Sequence, residues 1–224
     1  MKFLPKPNFY SLKLTAEQVR ARKLSFAALL VMIIMSVCFD QLTKYKAQDH
    51  LMVSESKTNL RVYLGKFYPI VSWGEENAKK DGPYLAMNFS YVRNPGAAWG
   101  FLSGLDDKFR IPFFHVITFL AILLIIQYIR MTPWSHRLGR FALTLILSGA
   151  LGNMIDRVLL NFVIDWIDVR WNFFGWYYAF PNFNFADSAI SVGAFLFFID
   201  VCFLERKRRA KAESSVRTEQ LMEL

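Results

Sequence analysis

The sequence has few of the residues that build disulfide frameworks and metal centres. It contains two cysteines and three histidines in 224 residues. If the long apolar blocks described below cross a membrane, Cys38 and Cys202 lie in opposite leaflets, too far apart for a disulfide, which needs Cα atoms within about 7 Å. His115 has no second histidine or cysteine at metal-ligand spacing. The sequence therefore predicts no disulfide, no metal site and no cofactor.

Hydrophobic residues make up 54% of the chain and are concentrated in long blocks. A hydrocarbon core about 30 Å thick needs roughly 20 apolar residues per helical span. Four blocks have about that length: 24–42, 111–129, 141–160 and 186–204. The first follows a basic leader of 23 residues and precedes no small-x-small cleavage site, which favours an anchor over a cleaved signal peptide. The sequence predicts an all-α polytopic membrane protein with four transmembrane helices.

The formal net charge of +9 is explained by where the basic residues lie. Of the 27 Lys and Arg residues, 15 lie in the segments 1–23, 130–140 and 205–224, which four spans would place on one side. Because cytoplasmic segments carry an excess of Lys and Arg, both termini are predicted to be cytoplasmic. The run 206–211 is expected to lie against anionic lipid headgroups. This distribution favours membrane lipids as partners and argues against nucleic acid.

The polar segment between the first two blocks is too long to be a simple connection. It contains strand-like pieces at 60–64, 67–73 and 84–92. Turn-forming residues separate or follow these pieces: Gly65, the pair Asp81-Gly82 and Asn94-Pro95-Gly96. The sequence therefore predicts a small extracytoplasmic β-sheet within an insertion covering residues 45–93.

The segment 166–180 is rich in residues that prefer the membrane interface. It carries three Trp and two Tyr, whose rings are apolar while their polar groups need water. We expect an interfacial aromatic loop here, either as a simple aromatic belt or as a grip on a lipid-bearing substrate. Residues 1–224 are predicted to form a single membrane-embedded domain.

A stripe of glycines and polar residues marks one face of the third block. Gly149, Gly152, Asn153 and Asp156 are spaced at i, i+3, i+4 and i+7, and Arg157 extends the stripe. An amide and a carboxylate in hydrocarbon must find partners, and glycines allow close helix approach, so this face is expected to pack against another span. Asp156 and Arg157 either form a buried network that fixes the bundle or contribute to a site.

Two aspartates lie in unusually apolar surroundings on consecutive elements. Asp165 stands in Val-Ile-Asp-Trp-Ile-Asp-Val, and Asp187 opens the fourth block, with Asn184 placed to cap the helix or orient a carboxylate. Alone, Asp187 would be read as a helix N-terminal residue favoured by the macrodipole. Two carboxylates at close range cannot both ionise cheaply, so one keeps a proton while the other activates water against an amide carbonyl. The pair predicts aspartyl protease chemistry.

The end of the first block carries a further charged pair. Asp40 and Lys44 lie one helical turn apart and are predicted to pair on the helix surface. Such a pair either contributes only to stability or supports a nearby site.

Five motifs, in the same order along the chain, resemble those of the lipoprotein signal peptidases (signal peptidase II), a bacterial family that trims lipid-modified precursors in the plasma membrane. The motifs are Asp40-Gln41-Leu42-Thr43-Lys44, Asn94-Pro95-Gly96-Ala97-Ala98-Trp99-Gly100, Gly152-Asn153-Met154-Ile155-Asp156-Arg157, Val163-Ile164-Asp165-Trp166 and Phe183-Asn184-Phe185-Ala186-Asp187-Ser188.

The resemblance implies an aspartic endopeptidase of the bacterial inner membrane that cleaves before a diacylglyceryl-modified cysteine, without a metal. It implies that the site faces the outer leaflet, that Trp99 and the sheet cover the cleft, and that Asp165 and Asp187 are catalytic. Roles in supporting the site or contacting the substrate are implied for Asp40, Lys44, Asn94, Gly96, Asn153, Asp156, Arg157 and Asn184.

Two other functions are compatible with parts of the pattern. Asp165 and Asp168, as Asp-x-x-Asp, have the chemistry to hold Mg²⁺ for lipid phosphotransfer. The polar stripe of the third block also resembles a proton or ion path through a small transporter. The first alternative predicts dependence on metal, and the second predicts flux without peptide cleavage.

Overall fold

A computed structural model of the chain describes residues 15–52, 62–63, 68–73, 83–96, 106–173, 175–205, 207–208, 210 and 213–214. The sequence predictions for Gly65, Asp81, Gly82 and Trp99 lie outside these ranges, as do residues 206, 209 and 211 of the basic run 206–211.

Within the described residues, four helices are long and apolar enough to cross a membrane. They are α1 (Ala16–Leu51), α2 (Asp107–Met131), α3 (Arg137–Leu160) and α4 (Phe185–Ile199), the last continued by a π-helical segment at Asp200–Glu205. Each predicted apolar block lies within one of them, so the prediction of four membrane-length helices is confirmed. α1 extends well beyond its apolar block at both ends.

Local sequence signals set several of the helix ends. Thr15 caps α1 in a reciprocal capping box with Gln18, and Asn184 does the same for α4 with Asp187. α3 ends at Asn161, which adopts a left-handed conformation with φ of 63°. Because the chain turns sharply there, the strand that carries Asp165 begins only two residues later.

α3 is the central helix of the bundle and packs against α1, α2 and α4. A Cβ atom at Gly149 would overlap the backbone oxygen of Ala186, and one at Gly193 would lie 2.7 Å from the backbone oxygen of Ala142. The α3 and α4 backbones therefore approach each other closely, at Gly149 of α3 and at Gly193 of α4. This confirms that the glycine face of α3 packs against another span.

Five antiparallel strands form one sheet at one end of the bundle, called the sheet end below. They are β1 (Val62–Tyr63), β2 (Tyr68–Trp73), β3 (Tyr84–Asn94), β4 (Val163–Phe173) and β5 (Trp176–Ala179). β3 pairs with both β1 and β2 on one side and with β4 on the other, and β5 follows β4. The predicted small sheet is confirmed.

The aromatic segment 166–180 is a β-hairpin rather than a loop, because β4 and β5 occupy most of it and turn at Gly175, whose φ is 78°. The aromatic residues that indicated an interface are also residues that strands favour. The rings of Trp171 and Tyr178 lie 5.0 Å apart across the hairpin, and Trp176 is 83% exposed. The aromatic side chains of this segment therefore project from two paired strands, β4 and β5.

A small apolar core joins the sheet to the end of α1. Ala47 and Leu51 of α1 pack with Tyr91 of β3 and Ile164 of β4. Burial raises the pKa of the Tyr91 phenol, which keeps it neutral in this core. The strand that carries Asp165 is thus held against α1.

Candidate active site

A cavity of about 510 Å³ lies where α3, the start of α4 and strands β3 and β4 meet. Both predicted catalytic residues line it. Its wall also includes Asn94, Gly96, Asn153 and Arg157, so the structure brings six of the ten predicted site residues to one cavity. Much of the remaining wall is apolar and comes from Val163, Phe180, Pro181, Phe183, Ile190 and Val192.

Asp165 is held by side-chain amides on both carboxylate oxygens. Asn94 at the end of β3 donates to Oδ2 at 3.0 Å, and Asn184 at the start of α4 donates to Oδ1 at 3.0 Å. The other end of the Asn94 side chain accepts the backbone N–H of Gly96 at 3.2 Å, which fixes the direction of the amide. Asp165 is 1% exposed, so these donors replace the water that a carboxylate otherwise needs.

Asp187 is both a helix-capping residue and a cavity residue. Its Oδ2 accepts the backbone N–H of Asn184 at 3.2 Å, as the third residue of a capping box does. Its Oδ1 accepts the side-chain amide of Asn153 from α3 at 2.8 Å. Asp187 therefore has the helix-terminal position predicted from the sequence and also lines the cavity.

Asn184 links the two aspartates directly. Its amide nitrogen donates to Asp165, while its amide oxygen accepts the backbone N–H of Asp187 at 2.9 Å. The same nitrogen also lies 3.2 Å from Oδ1 of Asn153 and from the backbone oxygen of Ile164. A fully buried side chain with this many contacts has one allowed position, so it fixes β4 and α4 relative to each other.

Lys44 is the centre of a buried charge cluster behind the cavity. Its ammonium lies 2.8 Å from Asp40, 3.0 Å from Asp156 and 3.0 Å from Oδ1 of Asn153, which uses all three of its donors. The predicted Asp40–Lys44 pair is therefore confirmed, but it is buried inside the protein, where each residue is 1% exposed. The pair is buried because the polar face of α3 packs against this face of α1.

The carboxylates of this cluster also hold the ends of neighbouring elements. Asp40 accepts the backbone N–H of Ala186 at 2.9 Å, and Asp156 accepts that of Ile164 at 3.0 Å. The sequence analysis did not single out Gln41, whose amide donates to Asp156 at 2.8 Å. The position of Gln41 beside Asp40 in the first motif was the sequence feature that could have identified it as a site residue. The cluster therefore anchors the segments that precede both site aspartates.

Arg157 supplies positive charge to the cavity wall. Its guanidinium donates to the backbone oxygen of Asn153 at 3.3 Å and lies 5.8 Å from the ring centre of Phe114 on α2. A guanidinium stays charged when partly buried, so it offsets negative charge in this cavity.

Asp168 and Asp165 have different surroundings on β4. The backbone N–H groups of Trp166 and Ile167 both donate to the backbone oxygen of Phe183, so β4 is not a regular strand between the two aspartates, and Asp168 does not line the cavity. It pairs with Arg170 at 2.8 Å and accepts the amide of Asn88 at 2.8 Å. The Asp-x-x-Asp interpretation as one magnesium site is therefore not supported.

Four membrane-length helices meet a sheet, and the cavity where they meet is lined by two aspartates that side-chain amides hold in place. This is the arrangement expected of an aspartic peptidase embedded in a membrane. The sequence profile of the family described as signal peptidase (SPase) II matches residues 32–203. This is more than half of the chain, and the chain belongs to that family.

Individual relatives agree. The lipoprotein signal peptidase of Geobacter sulfurreducens is 44% identical over 122 residues, covering 54% of this chain and 72% of that protein. That of Anaeromyxobacter sp. (strain Fw109-5) is 33% identical over 183 residues, covering 76% and 82%. A solved bacterial membrane enzyme, determined by the in meso method at 2.3 Å resolution, is 30% identical with a TM-score of 0.57, covering 78% of this chain and 87% of that one.

These findings confirm the family predicted from the five motifs. The chain is an aspartic-type signal peptidase of a bacterial membrane. The phosphotransferase and transporter alternatives are not supported.

Proposed function

We propose that Asp165 and Asp187 are the catalytic pair with which this peptidase cleaves a lipid-modified precursor before its diacylglyceryl-cysteine. The observation that carries the proposal is that both carboxylates line one cavity while one buried amide, that of Asn184, contacts both residues. Side chains from two elements are thereby held in a fixed relation, as acid–base catalysis requires.

The chemistry follows from placing two carboxyl groups together. One holds a proton and the other is ionised, because two adjacent negative charges are costly. The ionised group takes a proton from a water molecule whose oxygen attacks the scissile carbonyl carbon, while the protonated group donates to the carbonyl oxygen. The C–N bond then breaks as the first carboxyl group gives the proton taken from water to the amine nitrogen, while the second takes back the proton of the hydroxyl as the carbonyl re-forms, and the free cysteine amine leaves.

Three asparagines support this sharing of one proton. Asn94, Asn153 and Asn184 all direct amide N–H groups at the carboxylate oxygens. Such donors stabilise the ionised form without adding charge that would hold both groups ionised. Arg157 lines the same wall, and its positive charge is proposed to offset the remaining negative charge and to stabilise the oxyanion formed during attack.

The membrane placement belongs to the same proposal. The bias of Lys and Arg toward the segments 1–23, 130–140 and 205–224 favours a cytoplasmic location for both termini. The sheet end and the cavity then face the outer leaflet. An exposed aromatic hairpin at that end suits the interface. The acyl chains of the substrate can remain in the lipid while the adjacent peptide bond reaches the aspartates.

The test is a set of three purified variants assayed on a lipid-modified precursor peptide. Asp165→Asn and Asp187→Asn should each reduce kcat by at least about 10²-fold, since each removes an acid–base group. Asp168→Asn is the matched control, because it lies on the same strand as Asp165 and is equally buried at 1%. It should retain cleavage. Wild-type rates for Asp165→Asn or Asp187→Asn would exclude that residue from catalysis.

A further inference from the structure

A second cavity lies on the side of β4 that faces away from the aspartates. It has a volume of about 360 Å³ and lies between the last turns of α1 and the sheet. Ala47 and Leu51 of α1 form its floor, and Phe89 and Trp166 of the sheet form its opposite wall. We call this cavity the α1–sheet groove. Its surface is almost entirely apolar, so water is a poor occupant.

The groove is separate from the cavity that contains the aspartates. Asp165 and Trp166 are consecutive residues of β4, and consecutive side chains on a strand point to opposite faces. Asp165 lines the first cavity and Trp166 lines the groove. A substrate whose scissile bond lies at the aspartates is thus on the other face of the strand, so the groove suits a different molecule.

The groove begins where the apolar block of α1 ends. Leu42, the last residue of the block 24–42, is 56% exposed and lines the entrance. The exposed ring of Phe39 lies on the membrane-spanning part of α1 just before it. An acyl chain lying along α1 in the bilayer can therefore continue into the groove without crossing a polar surface.

Two basic side chains lie at the rim, on the same helix face as Leu42. Lys46 and His50 follow at i+4 and i+8, and both side chains are exposed. The His50 ring lies 3.2 Å from the carboxylate of Asp49, whereas the ammonium of Lys46, which also lines the groove, lies 6.0 Å from the ring centre of Tyr45. An apolar channel ending at an ammonium matches a molecule with an acyl chain joined to a phosphate.

We propose that the α1–sheet groove binds an anionic glycerophospholipid, with the upper part of an acyl chain against Leu42 and Trp166 and the phosphate at Lys46. A lipid bound there packs behind the strand that carries Asp165. Because it binds only the folded chain, it also stabilises this junction, by an amount that grows with the logarithm of its concentration. The inference does not rest on the catalytic assignment, and its test measures lipid contact rather than cleavage.

The test uses the full-length chain in detergent micelles and phospholipids with brominated acyl chains, which quench tryptophan fluorescence on contact. Phosphatidylglycerol and phosphatidylcholine with identical brominated chains are titrated into the wild type and into Trp166→Phe. The fluorescence lost in Trp166→Phe reports the groove. This component should be quenched by phosphatidylglycerol at about five-fold lower concentration, as expected for about 1 kcal/mol per basic residue.

Two lysine variants identify the headgroup contact. Lys46→Gln should abolish the preference for phosphatidylglycerol, whereas Lys108→Gln, which removes an exposed lysine at the start of α2, should keep it. Native mass spectrometry of lipids retained by the two variants gives a second measurement if Trp166→Phe does not fold. An unchanged preference in Lys46→Gln overturns the proposal. So does equal quenching by both lipids, or full displacement by glycerol phosphate, which would show a phosphate site without an acyl chain.

Discussion

The ammonium of Lys44 lies 3.0 Å from Oδ1 of Asn153, whose amide nitrogen lies 2.8 Å from Oδ1 of Asp187. An amide can be turned end for end, but an ammonium can only donate, so Lys44 requires the oxygen of Asn153 on its side. The N–H groups of Asn153 must then point at Asp187. A charge on α1 therefore sets which hydrogen-bonding group α3 presents to an aspartate on α4.

The first prediction removes that charge. Lys44→Met should lower the free energy of unfolding by about 3–5 kcal/mol, because it leaves two buried carboxylates, Asp40 and Asp156, without their cation. It should also lower kcat, because Asn153 loses its orientation. Thermal unfolding in detergent and single-turnover cleavage measure the two effects.

The control for this prediction is a double-mutant cycle. Asp40→Asn combined with Lys44→Met removes one of the stranded charges, so the double variant should be more stable than the sum of the single changes predicts, by at least about 1 kcal/mol. Strictly additive effects would show that the 2.8 Å pair contributes nothing specific to the fold.

A second prediction separates the two roles of Asn184. Serine is a good helix cap but cannot replace the amide N–H that reaches Asp165, whereas alanine can do neither. Both Asn184→Ser and Asn184→Ala should reduce kcat by at least about 10-fold, on the scale of one lost orienting hydrogen bond. Only Asn184→Ala should lose a further ~1 kcal/mol of stability. A serine variant with the wild-type rate would reduce Asn184 to a helix cap.

The sequence was sufficient for the parts of this structure that depend on local pattern. The four helices follow from apolar length, and the packed face of α3 follows from the spacing of Gly149, Gly152 and Asn153. The apolar surroundings of Asp165 marked it as a carboxylate that requires partners. Each of these signals is contained within one helix or one short segment.

The features that the sequence did not predict depend on contacts between distant segments. The spacing of Asp40 and Lys44 fits a surface pair, and only the packing of α3 adds Asp156 and buries the cluster. Asp165 and Asp168 are close in sequence, but Asp165 lines the cavity whereas Asp168 is held by Asn88 and Arg170. The aromatic residues of 166–180 are compatible with both a membrane interface and a hairpin. Only the pairing of β4 with β3 shows that the segment forms strands.

A third prediction concerns the contact between α3 and α4. A methyl group at Gly149 would overlap the backbone oxygen of Ala186, so Gly149→Ala must separate the helices and should cost about 1–3 kcal/mol. Cleavage should fall as well, because Ala186 immediately precedes Asp187. Gly175→Ala is the matched glycine control. Its Cβ meets nothing within 4 Å, so only the positive φ costs stability, about 1–2 kcal/mol, and the rate should not change.

The last prediction concerns the end of α4 that lies away from the sheet. Asp200 is 4% exposed and receives two hydrogen bonds from Arg208, at 2.8 and 3.1 Å. These hydrogen bonds raise the pKa of the Arg208 guanidinium, so this side chain stays positively charged beside the buried Asp200. Arg208→Gln should therefore lower stability by about 1–3 kcal/mol, because the buried carboxylate loses its partner.

The effect of Arg208→Gln on cleavage should nevertheless be negligible. Asp200 and Asp187 are 13 residues apart on α4, roughly 20 Å at the helical rise, so the two carboxylates belong to different ends of the bundle. Lys207→Gln removes a neighbouring exposed charge and should leave both stability and rate unchanged. Adding Asp200→Asn to Arg208→Gln should restore part of the lost stability. If kcat falls in Arg208→Gln while Lys207→Gln is normal, the two ends of α4 are coupled and the aspartates are not held by the sheet end alone.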